Sequence, residues 1–162
     1  MITVKIEAEA YVAEYISVKY YDPEVGAVRF PSGSDIYHLI YDLLTKRPAD
    51  HPVDKGNLEI CLPARRSGKD PEVYNYLSRR AQGILSNRMR SMFWAELHEV
   101  MDEGKHIEGR QFRDIVYIFM ARYGIESISE DGLLKNYQRW RDKIRRRKKR
   151  GYNRKVAESG KK

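Results

Sequence analysis

A single cysteine in 162 residues, Cys61, leaves this chain with no intramolecular disulfide and no cysteine-rich zinc module. Long hydrophobic runs are missing too: nothing approaches the roughly 18 consecutive apolar residues that a membrane-spanning helix needs. Charges interrupt the first thirty residues, where a signal peptide would carry an apolar core, so a cytoplasmic protein without a membrane partner is expected. Catalytic patterns are equally scarce. No glycine-rich phosphate loop occurs, and His98-Glu99 lacks the second histidine of a zinc-protease helix because position 102 is Asp. The His98 and Asp102 pair reads as an ordinary hydrogen bond. Asp54, Lys55 and Glu59 form no nuclease set, and Tyr74 and Tyr76 lack the Arg/His companions of a recombinase nucleophile. The expectation is a protein with no catalytic residues, no metal and no cofactor.

What the chain does have is charge, unevenly placed. Lys and Arg number 31 against 23 Asp and Glu, a formal charge of +8. Residues 133–162 hold 14 basic residues and only two acidic ones, Asp142 and Glu158, for +12; residues 1–132 hold 17 basic and 21 acidic residues, for −4. An acidic-leaning body therefore carries a basic C-terminal element, the asymmetry of a polyanion-binding arm.

The alternation of Ile2 to Glu7 predicts a strand, followed by a helix over about 9–20. Asp22-Pro23-Glu24 marks a turn and Ala27 to Phe30 a second strand. Ser34 is a helix N-cap with Asp35 in the first turn, and Ile36, Leu39, Ile40, Leu43 and Leu44 form the apolar stripe of a helix that Pro48 stops. Residues 57–63 form a third strand. From Asp70, with Pro71 at the first helical position, the pattern predicts continuous helix to Asp102 through Val73, Leu77, Ala81, Ile84, Leu85, Met89, Met92, Leu97, Val100 and Met101, with a bend or break at Gly83. Phe112, Ile115, Val116, Phe119 and Tyr123 form the next stripe, capped by Gly124. Ser127 and Ser129 compete as the cap of a last helix whose inner side is Leu133, Leu134, Tyr137, Trp140 and Ile144.

That last helix carries the functional signal. Lys135, Arg139, Arg141 and Lys143 project beside its apolar stripe, and Arg145, Arg146, Arg147, Lys148, Lys149 and Arg150 leave no apolar side at all, with Arg154 and Lys155 beyond. Such a helix can lay cations along phosphates. Residues 111–144 also have the outline of a helix-turn-helix, with Asn136, Gln138 and Arg139 near the start of the reading helix. Any antiparallel helix pair with a charged second member would share that outline. Arg65, Arg66 and Lys69 form a secondary basic patch, read equally as footprint or solvated face. Most of the 12 tyrosines read as core-edge residues, with Tyr152 the better stacking candidate.

The blocks Gly56-Asn57-Leu58-Glu59-Ile60, Tyr74-Asn75-Tyr76-Leu77-Ser78 and Leu134-Lys135-Asn136-Tyr137-Gln138-Arg139-Trp140-Arg141 resemble segments of small uncharacterised basic proteins of bacterial prophages and mobile elements. The resemblance implies a DNA-handling context; it brings no established activity and transfers no functional residue.

The sequence thus predicts an α+β fold: a small sheet of two or three short strands with an N-terminal helix, then a mainly helical bundle ending in a long basic helix. Residues 1–144 form a single domain, predominantly helical after residue 70, and 145–162 a basic, partly disordered extension. The expected partner is nucleic acid, DNA favoured over RNA, with a homodimer compatible with the pattern. An RNA-binding module, a tail docking an acidic protein and a nuclear localisation signal at Arg145 to Arg150 remain alternatives.

Overall fold

The structure, a computed structural model, describes residues 1–50, 53–65 and 67–159, with side chains as far as Lys149. It is α+β. The elements are β1 (Thr3–Ile6), α1 (Ala10–Lys19), β2 (Tyr21–Asp22), β3 (Ala27–Val28), α2 (Asp35–Leu43), β4 (Leu58–Cys61), α3 (Arg79–His106), α4 (Phe112–Tyr123) and α5 (Glu130–Ser159). The chain divides into two compact units: Met1–Glu96 with Met120–Ser127, and Leu97–Phe119 with Ile128–Lys162. No described helix is long and apolar enough to cross a membrane.

The first unit contains the sheet. Alternation in β1 buries Val4 and Ile6 and leaves Lys5 exposed. β4 pairs antiparallel with it, Thr3 opposite Cys61 and Ile6 opposite Leu58. β3 meets β4 in parallel through Val28 and Ile60, giving the order β1-β4-β3-β2. There are thus four strands instead of two or three. The extra strand, β2, has only two residues and no pattern of its own. It is made by the hairpin, in which the amides of Val25 and Gly26 return to the Asp22 carbonyl and Gly26 takes φ 73°.

Ser34 caps α2, its hydroxyl accepting from the Tyr37 amide at 3.3 Å. The helix ends at Leu43, well before Pro48. Leu44 turns extended, still buried, and Thr45 exchanges backbone hydrogen bonds of 3.0 and 3.2 Å with Tyr76. The same bridge corrects the long helix expected from Asp70. Asp70 caps a single turn through Val73 and Tyr74, and Arg47 then binds both the side chain and the carbonyl of Asn75 at 2.9 Å. Residues 75 and 76 are held by the segment that follows α2, through the Thr45–Tyr76 bridge and Arg47, and α3 starts at Arg79. Ser78 is its cap, accepting from the Ala81 amide at 3.2 Å. Val73 and Ile84, expected on the stripe, are exposed. Gly83 neither breaks nor ends α3, which is continuous to His106. The buried row is Ala81, Leu85, Met89 and Phe93, a spacing of four that includes the overlooked Phe93.

One carboxylate ties this unit together. Glu96 on α3 accepts hydrogen bonds from the hydroxyls of Tyr15 on α1 and Tyr123 on α4 and pairs with the ammonium of Lys19. The two tyrosine rings meet edge-on at 4.8 Å. Gly124, at φ 59°, closes α4, and the Ile125 amide returns to the Met120 carbonyl at 3.0 Å, the six-to-one bond of a Schellman cap. Burial raises the Glu96 carboxyl pKa, but the bonds from Lys19, Tyr123 and Tyr15 outweigh it and hold the group below its ordinary value. Burial and the same carboxylate push Tyr123 up to about 12.

Glu96→Gln keeps the shape but removes the charge that both hydroxyls and Lys19 address. Urea unfolding at pH 7 should show a loss of about 1–3 kcal/mol. A carboxyl whose pKa falls on folding stabilises above its unfolded value and stops doing so as pH drops below about 4. The gap between wild type and variant should therefore narrow across that acid range.

Candidate nucleic-acid interface

The second unit is built from the Leu97–His106 stretch of α3, the Phe112–Phe119 stretch of α4, and α5. Of the two candidate caps, Ser129 is the one used: its hydroxyl accepts from the Gly132 amide at 3.1 Å. Glu130 and Asp131 then fill the first turn, where carboxylates suit the positive end of the helix dipole. Leu133 and Tyr137 are buried, with Ile115, Val116 and Phe119 buried on α4. Gly104 is required by close approach, since a Cβ there would stand 2.7 Å from Ile115 Cδ1.

Polar contacts fix how α5 is rotated. Asp102 accepts from the Tyr137 hydroxyl at 2.5 Å and from Arg141 Nη1 at 3.2 Å. Arg141 Nη2 also donates to His106 Nε2 at 3.1 Å. One turn earlier on α3, His98 stacks on Trp140 with ring centroids 4.3 Å apart and an interplanar angle of 21°. Its Nε2 lies 3.0 Å from Asn136 Oδ1. Burial lowers the His98 pKa, against the Asn136 bond and the Asp102 charge, while burial and Asp102 push Tyr137 up to about 12. His98 and Asp102, one turn apart on α3, thus each address α5: His98 meets Asn136 and Trp140, and Asp102 meets Tyr137 and Arg141. Among the described residues no group of three or more His, Cys, Asp or Glu is placed to hold a metal.

These contacts sort the residues expected to meet nucleic acid. Asn136 is half-buried, and its amide oxygen lies 3.0 Å from His98 Nε2. Arg141 is half-spent on Asp102. Lys135, Gln138, Arg139, Lys143, Arg145, Arg146, Arg147, Lys148 and Lys149 are all exposed. The side chains of Arg150, Arg154 and Lys155 lie outside the described residues. At 100° per residue, Arg147 and Lys148 fall where the stripe of Leu133, Tyr137, Trp140 and Ile144 would continue, and both are exposed. From the helix-turn-helix outline the six-residue connection 124–129 remains, but Glu130 and Asp131 occupy the turn with which a reading helix would meet bases.

The secondary patch belongs to the other unit and is largely consumed there. Lys69 Nζ donates to the carbonyls of Tyr41, Asp42 and Leu44, each at 2.8 Å, satisfying the C-terminal end of α2. The Arg65 guanidinium sits 3.9 Å from the Tyr41 ring centroid. Arg66 lies outside the described residues. Charge divides accordingly: the sheet-containing unit has 14 basic and 14 acidic residues and is neutral, and the other has 17 basic and 9 acidic residues, the whole of the +8.

Sequence reading missed a furrow beside α5. Lys105, His106, Phe112, Gln138, Arg141 and Arg145 line about 440 Å³ of it, together with Tyr137 and Asp142. A second cavity of about 660 Å³ shares Phe112 and Gln138 in its lining, with Arg113, Asp114, Asp131 and Lys135. The only sequence signal was the Lys105-His106 pair in the last turn of a helix.

Protonating His98 should quench the indole stacked on it. In a Trp94→Phe background, Trp140 fluorescence should therefore titrate with a midpoint below the ordinary histidine value of about 6.5. A folded pKa lowered by burial means that this histidine favours folding above about pH 6.5 and opposes it as pH falls, so Tm should decline over the same acid interval. His98→Gln should abolish both effects.

No protein family, curated protein or solved structure matches the chain.

Proposed function

We propose that this protein binds nucleic acid without catalysing a reaction, DNA in preference to RNA, by laying the cations of α5 along phosphates. The observation that carries the reading is the exposure of Arg147 and Lys148 at the positions where the apolar stripe should continue. From Arg145 to Lys149, the described side chains beyond Ile144, every residue is an exposed cation, and at 100° per residue these five surround the helix. As a long basic helix, residues 145–159 would run about 22 Å, enough to follow several phosphates of one strand. The concentration of the full +8 in this unit supports the same reading. Lys135, Arg139, Lys143 and Arg145 to Lys149 are the contact residues in this proposal, with Gln138 a candidate for a base edge. The mobile-element resemblance of its sequence blocks fits cytoplasmic handling of prophage or related DNA.

The test is binding to a short labelled duplex over a salt series. If six to eight cations engage, the log–log slope is about −5 to −7, and replacing Arg145, Arg146 and Arg147 together by Ala should flatten it by about 2.7. The loss should be nearly equal for unrelated sequences, because phosphate contacts carry no base information. Unchanged duplex binding in the triple variant defeats the proposal, and competition with structured RNA at the same salt ranks the two polymers.

A further inference from the structure

The furrow beside α5 differs in charge along its length. On one side of Phe112 the lining holds Lys105, Arg141 and Arg145 against one carboxylate, Asp142; Arg141 is already paired with Asp102 and His106 Nε2, so Lys105, Arg145 and His106 Nδ1 are the groups left to a ligand. In the second cavity, Arg113 and Lys135 are balanced by Asp114 and Asp131. A positive cavity and a neutral one therefore share the half-buried Phe112 and the exposed Gln138 in their linings. The Lys105 ammonium stands 5.2 Å from the Phe112 ring centroid, so cation and ring face are already side by side.

A phosphate alone would need only the positive cavity, and an apolar ligand would have no use for it. The combination suits a phosphate joined to a planar heterocycle. We infer that the furrow seats one unpaired nucleotide of the bound nucleic acid, its phosphate among Lys105, His106 and Arg145 and its base against Phe112, with the Gln138 amide able to bond a base edge. A base inside a duplex cannot reach such a seat, since stacking and pairing hold it in place; a bulged, frayed or single-stranded nucleotide can. Apart from Arg145, the cation that the two share, the seat is made by residues 105–142, whereas the contacts proposed above run on along the basic extension. The inference rests on that nucleic-acid reading and adds a preference to it: the extension supplies affinity for any strand, and the furrow selects strands with a free base.

The experiment compares binding of the full-length protein to a short fully paired duplex and to the same duplex with one unpaired nucleotide at its centre, at one salt concentration. The expected result is about ten-fold tighter binding to the bulged duplex, about 1.4 kcal/mol. Phe112→Ala should remove that preference while leaving affinity for the paired duplex unchanged. Since Phe112 also touches the Tyr137 ring at 5.2 Å, Lys105→Glu, a change at the rim, is the second variant and should reduce the preference by itself. Equal binding of the two duplexes by wild type, or a preference that survives both variants, overturns the inference and leaves the reading of α5 standing. Absence of binding to either duplex defeats both, and replacing Arg146 and Arg147 by Ala, neither of which lines the furrow, tells the two apart because it should weaken both duplexes and leave the preference intact.

Discussion

The rotation of α5 about its own axis decides which residues face solvent, and Asp102 sets that rotation. Its carboxylate receives the Tyr137 hydroxyl and the Arg141 guanidinium, two groups one turn apart on the same side of the helix. A half-buried carboxylate with two donors is satisfied; with its partners turned away it would be left desolvated at a cost of several kcal/mol. Once Tyr137 and Arg141 are fixed, the 100° step places Lys135, Gln138, Asp142 and Arg146 outward. The His98 and Trp140 stack, one turn earlier on α3, reinforces the same setting. The proposed contact face is thus defined by a charge that never touches the partner.

Ion pairing treats the two units differently. In the sheet-containing unit Arg29, Arg47 and Lys19 each pair with a carboxylate of the same unit, and Lys69 is spent on backbone carbonyls. In the other, Arg110 and Arg141 are paired with Glu108 and Asp102, and among the described residues no ion pair involves Lys135, Arg139, Lys143 or Arg145 to Lys149. Net charge alone does not distinguish cations already neutralised by their own fold from cations left for something else.

Short-range pattern in the sequence was sufficient for β1, α1, the Ser34 cap, β4 and the Gly124 cap, because each depends on residues within a few positions. It failed where the deciding partner was distant. The helix expected from Asp70 is undone by Thr45 and Arg47, which no periodicity in 70–78 reveals. Asn136 has the side chain of an adenine reader, and nothing near it in sequence reveals that its amide oxygen meets His98, 38 residues earlier. The cations of α5 were legible as a run of letters. The furrow was not, since Lys105, Phe112 and Arg145 meet only after three helices have packed.

The exposed run that follows Ile144 also acts on the helix that bears it. Arg145 and Lys149 are neighbours at i and i+4, Arg145 and Lys148 at i and i+3, and like charges at those spacings each oppose helix formation by about 0.2–0.5 kcal/mol. Dissolved salt therefore has two opposed effects on this segment. It screens the mutual repulsion and favours the coiled form of the free chain, and it also competes for the phosphates that would neutralise the same side chains. A polyanion offers both services at once, so helix content beyond Ile144 becomes a quantity that the counterion environment sets, separately from the packing that holds the rest of the fold.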